Sequence, residues 1–145
     1  MTASEGPVVL DTNVVLQLAR GNEIGRWLDA TYRLQTRPLR PMISIVTVGE
    51  LVAFARRRGW GADRSGKLHQ VIQQLVVFDI NRAIIDHYAA IHTFLVGSGR
   101  SVGDNDVWIA ATAAATSALL ITTDKDFEPL AGTFLQVSVL PHPGK

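Results

Sequence analysis

Short apolar runs alternate along this chain with stretches whose apolar residues recur at helical spacing, and glycine or polar residues mark the changes. Residues 7–10 form a β-branched run ending at a polar turn, which predicts a short buried strand. Val14, Val15 and Leu18 then predict a helix from Thr12 to Ala19, closed by Gly21, and Ile24, Trp27 and Leu28 predict another over 23–30. Residues 31–41, with two prolines and three arginines, read as a loop. A second strand is predicted over 42–45. Thr47 followed by Glu50 has capping-box spacing for a helix that buries Leu51, Val52, Phe54 and Ala55 and stops at Gly59.

Further on, Leu68, Val71, Ile72 and Leu75 predict a helix over 65–75, followed by a strand over 76–80. Asn81 is placed to cap a helix that runs to about residue 96, where Gly97-Ser98-Gly99 stops it. The alanine-rich segment 106–117 predicts the most buried helix. A strand over 119–122, a helical turn over 126–130 and a last strand over 134–140 complete the chain. Strands alternating with helical segments predict one α/β domain spanning residues 1–145, with a parallel sheet covered on both faces. In such sheets ligands sit outside the carboxyl ends of the strands, where Asp11 and Asp124 fall.

Composition narrows this picture. With 145 residues, 47% apolar and 19% charged, the chain has enough material for one core, and no break in composition argues for two domains. A net charge of +1 provides no global pull on nucleic acid, so any such contact needs a local patch. The absence of cysteine excludes disulfides and thiolate metal sites and fits a reducing compartment. Glu5 stands where a signal peptide would be basic, and Asp11 and Asn13 interrupt the apolar stretch. The most apolar window, residues 107–121, is shorter than a spanning helix requires and contains Thr112, Thr116 and Ser117. A cytoplasmic protein with no membrane partner is the expectation.

Four acids stand at the edges of apolar segments: Asp11, Glu50, Asp106 and Asp124. Gathered at one sheet rim, they would suit a hard divalent cation and metal-assisted phosphodiester hydrolysis. Each also has a structural explanation. Asp11 and Asp106 are good N-caps, Asp104 and Asn105 compete with Asp106 for that role, and Glu50 completes a capping box. Asp126 is placed to cap the turn after Asp124. His69, His87, His92 and His142 lack metal-ligand spacing and read as structural or surface residues. Trp27 and Trp60 suit either base stacking or packing, and Trp108 reads as core.

These segments resemble the blocks of a PIN domain, and more narrowly of a VapC-like toxin ribonuclease. The matching stretches are Leu10-Asp11-Thr12-Asn13, Ser44 to Leu51 ending in Glu50-Leu51, Asn105-Asp106-Val107-Trp108-Ile109-Ala110-Ala111, and Leu120-Ile121-Thr122-Thr123-Asp124-Lys125-Asp126-Phe127. They occur in family order from Val8 to Phe127. The resemblance implies an α/β/α sandwich with a central mostly parallel sheet, and an acidic pocket for Mg²⁺ or Mn²⁺. It implies that Asp11, Glu50, Asp106 and Asp124 are the catalytic and metal-binding quartet, with Asp11 and Asp106 the first metal ligands. Thr12, Asn13 and Thr122 match positions that orient the acids or a water, and Asp104 and Asp126 lie beside matching positions.

The implied partners are an RNA substrate, a cognate antitoxin that blocks the pocket, and a second copy of the chain. Helices after the first two strands are the expected contact surfaces. Glu50 and Asp124 are equal candidates for general base. Arg56-Arg57-Arg58 is the densest basic run, suited either to RNA phosphates or to a solvated helix end. Two alternatives stand beside this reading: a PIN-type nuclease of RNA processing without an antitoxin, and a non-catalytic binding module whose acids only cap helices.

Overall fold

A computed structural model describes residues 6–141 of the chain. Glu5 and His142 lie outside the described residues. Five short strands, β1 (Val8–Leu10), β2 (Met42–Ser44), β3 (Val76–Phe78), β4 (Leu119–Thr122) and β5 (Gln136–Val139), form one parallel sheet in the order β3-β2-β1-β4-β5. Six α-helices connect them: α1 (Thr12–Arg20), α2 (Glu23–Tyr32), α3 (Ile45–Arg57), α4 (Ala62–Gln73), α5 (Arg82–Gly97) and α6 (Asp104–Ala115). A 3₁₀ turn over Lys125–Leu130 joins β4 to β5.

Strand periodicity divides the core between the two faces. Val9 and Leu120 point into one cluster with Ile84, Ile91 and Leu95 of α5 and Val107, Ile109 and Ala110 of α6. Val8, Leu10, Ile43 and Ile121 point into the other, with Val14 and Val15 of α1, Leu28 of α2, Leu51 of α3 and Leu68 of α4. Full burial of each such aliphatic side chain contributes roughly 1.5–3 kcal/mol. Gly25 of α2 lets that helix lie directly on α1, because a Cβ there would overlap the backbone of Gln17. Helix α6 buries Val107, Ile109, Ala110, Ala111, Thr112 and Ala113, as the alanine-rich pattern predicts.

The topology creates one special place. From β1 the chain winds outward through β2 to β3 with α1–α4 on one face. It then crosses back to β4 on the other side of β1, which puts α5 and α6 on the opposite face. The winding direction therefore reverses between β1 and β4, where the loops leaving the two strands part and leave a crevice.

Several predicted boundaries shift. Helix α3 starts at Ile45 with Ser44 as N-cap, its side chain accepting from Val46 N–H at 3.0 Å. Thr47 is therefore buried within the first turn, and the predicted capping box does not form. Strand β2 ends where that cap begins. Helices α4 and α6 start earlier than expected because their N-caps are Gly61 and Gly103, which have no capping side chain. Asp106 consequently lies inside α6, and neither it nor Asp104 nor Asn105 is the cap. The 3₁₀ turn is capped by Asp124, which accepts from Asp126 N–H at 2.8 Å, so Asp126 is the capped residue. Asn81 caps α5 as predicted, accepting from Ile84 N–H. Trp108 is only partly buried and stacks on Tyr88 with ring centroids 3.8 Å apart.

Candidate active site

The four acids converge on the crevice between β1 and β4. Asp11 follows β1 directly and is buried, with its N–H donating to the Ile121 carbonyl of the adjacent strand at 3.0 Å. One carboxylate oxygen accepts from Thr12 N–H at 2.8 Å, which caps α1. The other accepts from the buried Thr122 hydroxyl at 2.6 Å. That hydroxyl oxygen in turn accepts from Asp124 N–H at 3.0 Å, tying the ends of β1 and β4 together. Burial pushes the Asp11 carboxyl above its ordinary value, and the charges of Glu50 and Asp124 add to that push. The Thr122 and Thr12 donors act against it by favouring the charged form.

Glu50 arrives from α3 on the other side. Its carboxylate accepts from the Thr12 hydroxyl at 2.7 Å and, through its second oxygen, from the Asn105 amide at 3.4 Å. Thr12 Oγ1 also lies 3.2 Å from Thr47 Oγ1. Asp106 enters from the first turn of α6, half-buried, with none of these donors on its carboxylate. Its pKa is pushed up to about 7, chiefly by burial and then by the charges of Asp11, Asp124, Glu50 and Asp126. Asp104 is exposed and accepts from the Tyr88 hydroxyl at 3.4 Å, pointing toward α5. Asn13 is exposed on α1 and takes no part in the hydrogen bonds around the acids.

The structure thus brings together Asp11, Glu50, Asp106 and Asp124, with Thr12 and Thr122 as the donors that hold them and Asp126 within electrostatic reach. It leaves Asn13 and Asp104 at the margin. Thr47 and Asn105 are contributors that pattern reading did not select. Thr47 lies one helical turn before Glu50, and that spacing was the available signal. Among the described residues no group of three or more His, Cys, Asp or Glu side chains is drawn together closely enough to hold a metal ion. The arrangement is an open cluster of mutually repelling carboxylates at a topological switch point. Its donor set is all oxygen and negatively charged, which fits a hard divalent cation and no softer metal.

Residues 8–132 match the PIN domain family. The chain belongs to that family. As a PIN domain it is 33% identical over 135 residues to Ribonuclease VapC5 of Mycobacterium tuberculosis, covering 91% of this chain and 93% of that one. It is 31% identical over 124 residues to Ribonuclease VapC1 of Haemophilus influenzae strain R2866, covering 83% and 89% of the two chains. Among solved structures, the VapBC-5 member of the VapBC toxin–antitoxin family from M. tuberculosis superposes with a TM-score of 0.67 at 27% identity, covering 94% of this chain and 98% of that one. The fold is also that of VapBC2 from Rickettsia felis, solved with a promoter DNA fragment, at a TM-score of 0.79 and 20% identity over 92% and 98% of the two chains. Among the described residues no helix of this PIN domain is long and apolar enough to cross a membrane.

Proposed function

We propose that this PIN domain is a metal-dependent endoribonuclease, the toxin of a VapBC-type pair, and that it hydrolyses RNA phosphodiester bonds at the acid cluster. One observation carries the reading. Four carboxylates share the switch point of the sheet, where burial first and their mutual charges second raise the pKa of Asp106 to about 7, in a chain one-third identical to a named ribonuclease. Such crowding costs folding energy and fits a cation that relieves it.

Asp11 and Asp106 are the residues that would hold Mg²⁺ or Mn²⁺, with Glu50 and Asp124 facing the same space. When bound, the cation neutralises charge on the scissile phosphate and acidifies a nearby water. The protein's own groups do the rest. Thr122 and Thr12 fix the Asp11 carboxylate, and Thr12 and Asn105 aim that of Glu50. Glu50 or Asp124 then orients or deprotonates the attacking water. Trp27 on α2 and Ile45 and Val52 on α3 leave apolar surface exposed on the helices after the first two strands, which suits a docked antitoxin. The chain is proposed to self-associate as well, because edge strand β3 leaves Val76 and Val77 exposed beside Ile80.

The test is cleavage of a mixed cellular RNA pool by purified protein with Mg²⁺, Mn²⁺ or EDTA, alongside Asp11→Asn. Metal-dependent cleavage that disappears in the variant is expected. Folded, antitoxin-free protein that cuts nothing under any condition would replace this proposal with a non-catalytic binding module.

A further inference from the structure

At the ends of α1 and α3 farthest from the acids lies a second feature of opposite sign. Arg20 at the end of α1, Arg58 at the end of α3, and Arg64 and Lys67 of α4 line one groove of about 490 Å³. Phe54 and Trp60 form its aromatic wall, and no acidic residue lines it. Asp63, the nearest acid along α4, borders an adjoining hollow that shares Trp60 and Arg64 with the groove. Among the described residues none of the four cations makes a salt bridge. The groove is partly organised already. The Arg58 guanidinium lies over the Phe54 ring at 5.2 Å, and Phe54 meets Trp60 edge to face at 5.6 Å. Four cations left facing one another without a counter-charge are suited to an anionic ligand.

The helices connect this groove to the acid cluster. Thr12 and Glu50 are hydrogen-bonded at one end of the packed pair α1 and α3. Arg20 stands eight residues beyond Thr12, and Arg58 eight residues beyond Glu50. At 1.5 Å per residue, both basic positions lie about 12 Å along the helices from the acids. An acid cluster repels the phosphates on either side of the bond it cuts, so cations a few nucleotides away are needed to hold the strand down. Trp60 packs part of its ring against the core and leaves the rest open to the groove. A basic track beside an accessible ring edge or face is the usual combination for single-stranded nucleic acid, with phosphates on the cations and a base on the ring.

We propose that this groove binds the phosphodiester backbone of the RNA strand a few nucleotides from the scissile bond, with Trp60 stacking on an unpaired base. The proposal rests on the nuclease reading. It assigns Arg20, Arg58, Arg64 and Lys67 to substrate positioning and leaves the reaction to the acids.

The test uses the full chain carrying Asp11→Asn, which keeps the α1 cap but blocks cleavage. Its affinity for a single-stranded oligoribonucleotide of about a dozen nucleotides is measured over a range of salt concentrations, with and without Arg58→Gln plus Arg64→Gln. The double change is expected to weaken binding about tenfold and to lower the salt slope by about 1.4, roughly 0.7 per cation removed. Trp60→Leu is expected to weaken binding severalfold without changing the slope. An oligonucleotide too short to leave the acid cluster should show no difference between the proteins. If thermal unfolding shows that the double variant is damaged, Lys67→Gln, an exposed single change, replaces it with an expected slope change of about 0.7.

Unchanged affinity and slope for the long RNA would overturn the proposal. So would a variant that keeps its RNA affinity but loses binding to a polyglutamate peptide, which would make the groove a protein-docking site. Failure of the underlying reading looks different: protein with the native Asp11 would then neither cleave nor bind RNA, whatever stands at 58 and 64.

Discussion

The acid cluster has two sides, built differently. On the strand side, Asp11 has hydrogen-bond donors on both carboxylate oxygens, and Thr122 links it to the backbone of Asp124. Those donors fix the orientation of the Asp11 carboxyl and favour its charged form, although burial outweighs them and leaves its pKa above the ordinary value. On the helix side, Glu50 comes from the second turn of α3 and Asp106 from the first turn of α6. Glu50 shares one hydroxyl and a long amide contact, and Asp106 receives none of these bonds. The strand side is therefore the more firmly positioned, while the helix side carries the less satisfied charge, which a bound cation would relieve. In the proposed reading, positioning weighs on the strand side and the demand for a cation on the helix side, with Asp11 taking part in both.

The largest test of that division is Asp106→Asn. Hydrolysis should fall on the order of a hundredfold or more, because the least satisfied carboxylate is the one that most needs the cation. The folded protein should gain stability instead of losing it. With its pKa raised from 3.8 to about 7, Asp106 binds more protons in the folded than in the unfolded state between those values. Stability of the metal-free protein therefore falls as pH rises from about 4 through 7, and the penalty is fully present above that. At this half-exposed carboxyl, solvent screening limits the gain from the asparagine to the order of 1–2 kcal/mol at pH 8. Urea unfolding at pH 4.5 and 8 should show a steeper fall in the native sequence than in the variant, where the raised Asp11 carboxyl keeps part of it. A variant that is less stable at pH 8 would break the comparison.

Thr122→Val addresses the strand side. It removes a buried hydroxyl that donates to a carboxylate and accepts from a backbone N–H, and should cost about 1.5–3 kcal/mol. Cleavage should drop about tenfold, because Asp11 loses the donor that fixes it. Unchanged stability would mean that the strand side is no more rigid than the helix side.

Adding Mg²⁺ to metal-free protein at pH 8 sharpens the comparison further. At a concentration about a hundred times the dissociation constant it should contribute about 2.7 kcal/mol, seen as a rise of several degrees in melting temperature. Asp106→Asn should abolish most of that rise, whereas Thr122→Val should retain it. The smallest effect belongs to Asn105→Ala. Its contact to Glu50 is long and exposed, so activity should change only a few-fold and stability by no more than about 0.5 kcal/mol.

The sequence carried most of the fold because its strands are short, apolar and separated by capping residues. Where the N-cap has a side chain, as with Asp11 and Asn81, the helix start could be read directly. Where it is glycine, as at Gly61 and Gly103, nothing marks the boundary, and the predicted starts of α4 and α6 fell too late. At α3 the misreading had another cause. Ser44 ends a strand and caps a helix at once, so Thr47 three residues later looked like the cap. The acids themselves stood out as polar interruptions beside apolar runs. What joins them did not, since the Thr122 to Asp11 bond spans 111 positions and Thr12 to Glu50 spans 38. Local patterns encode elements, whereas those contacts exist only once the sheet has closed.

Asp11 caps α1 with the same carboxylate that faces the cluster. On the proposed reading, selection for folding and selection for catalysis act on one side chain and cannot be relaxed independently there. Asp106 has no such second duty. In a lineage that gave up hydrolysis but kept the fold, position 106 would drift first, while position 11 would still admit little beyond Asp, Asn, Ser or Thr. A descendant with a capping residue at 11 and an apolar one at 106 would be a retired enzyme, recognisable from its sequence alone.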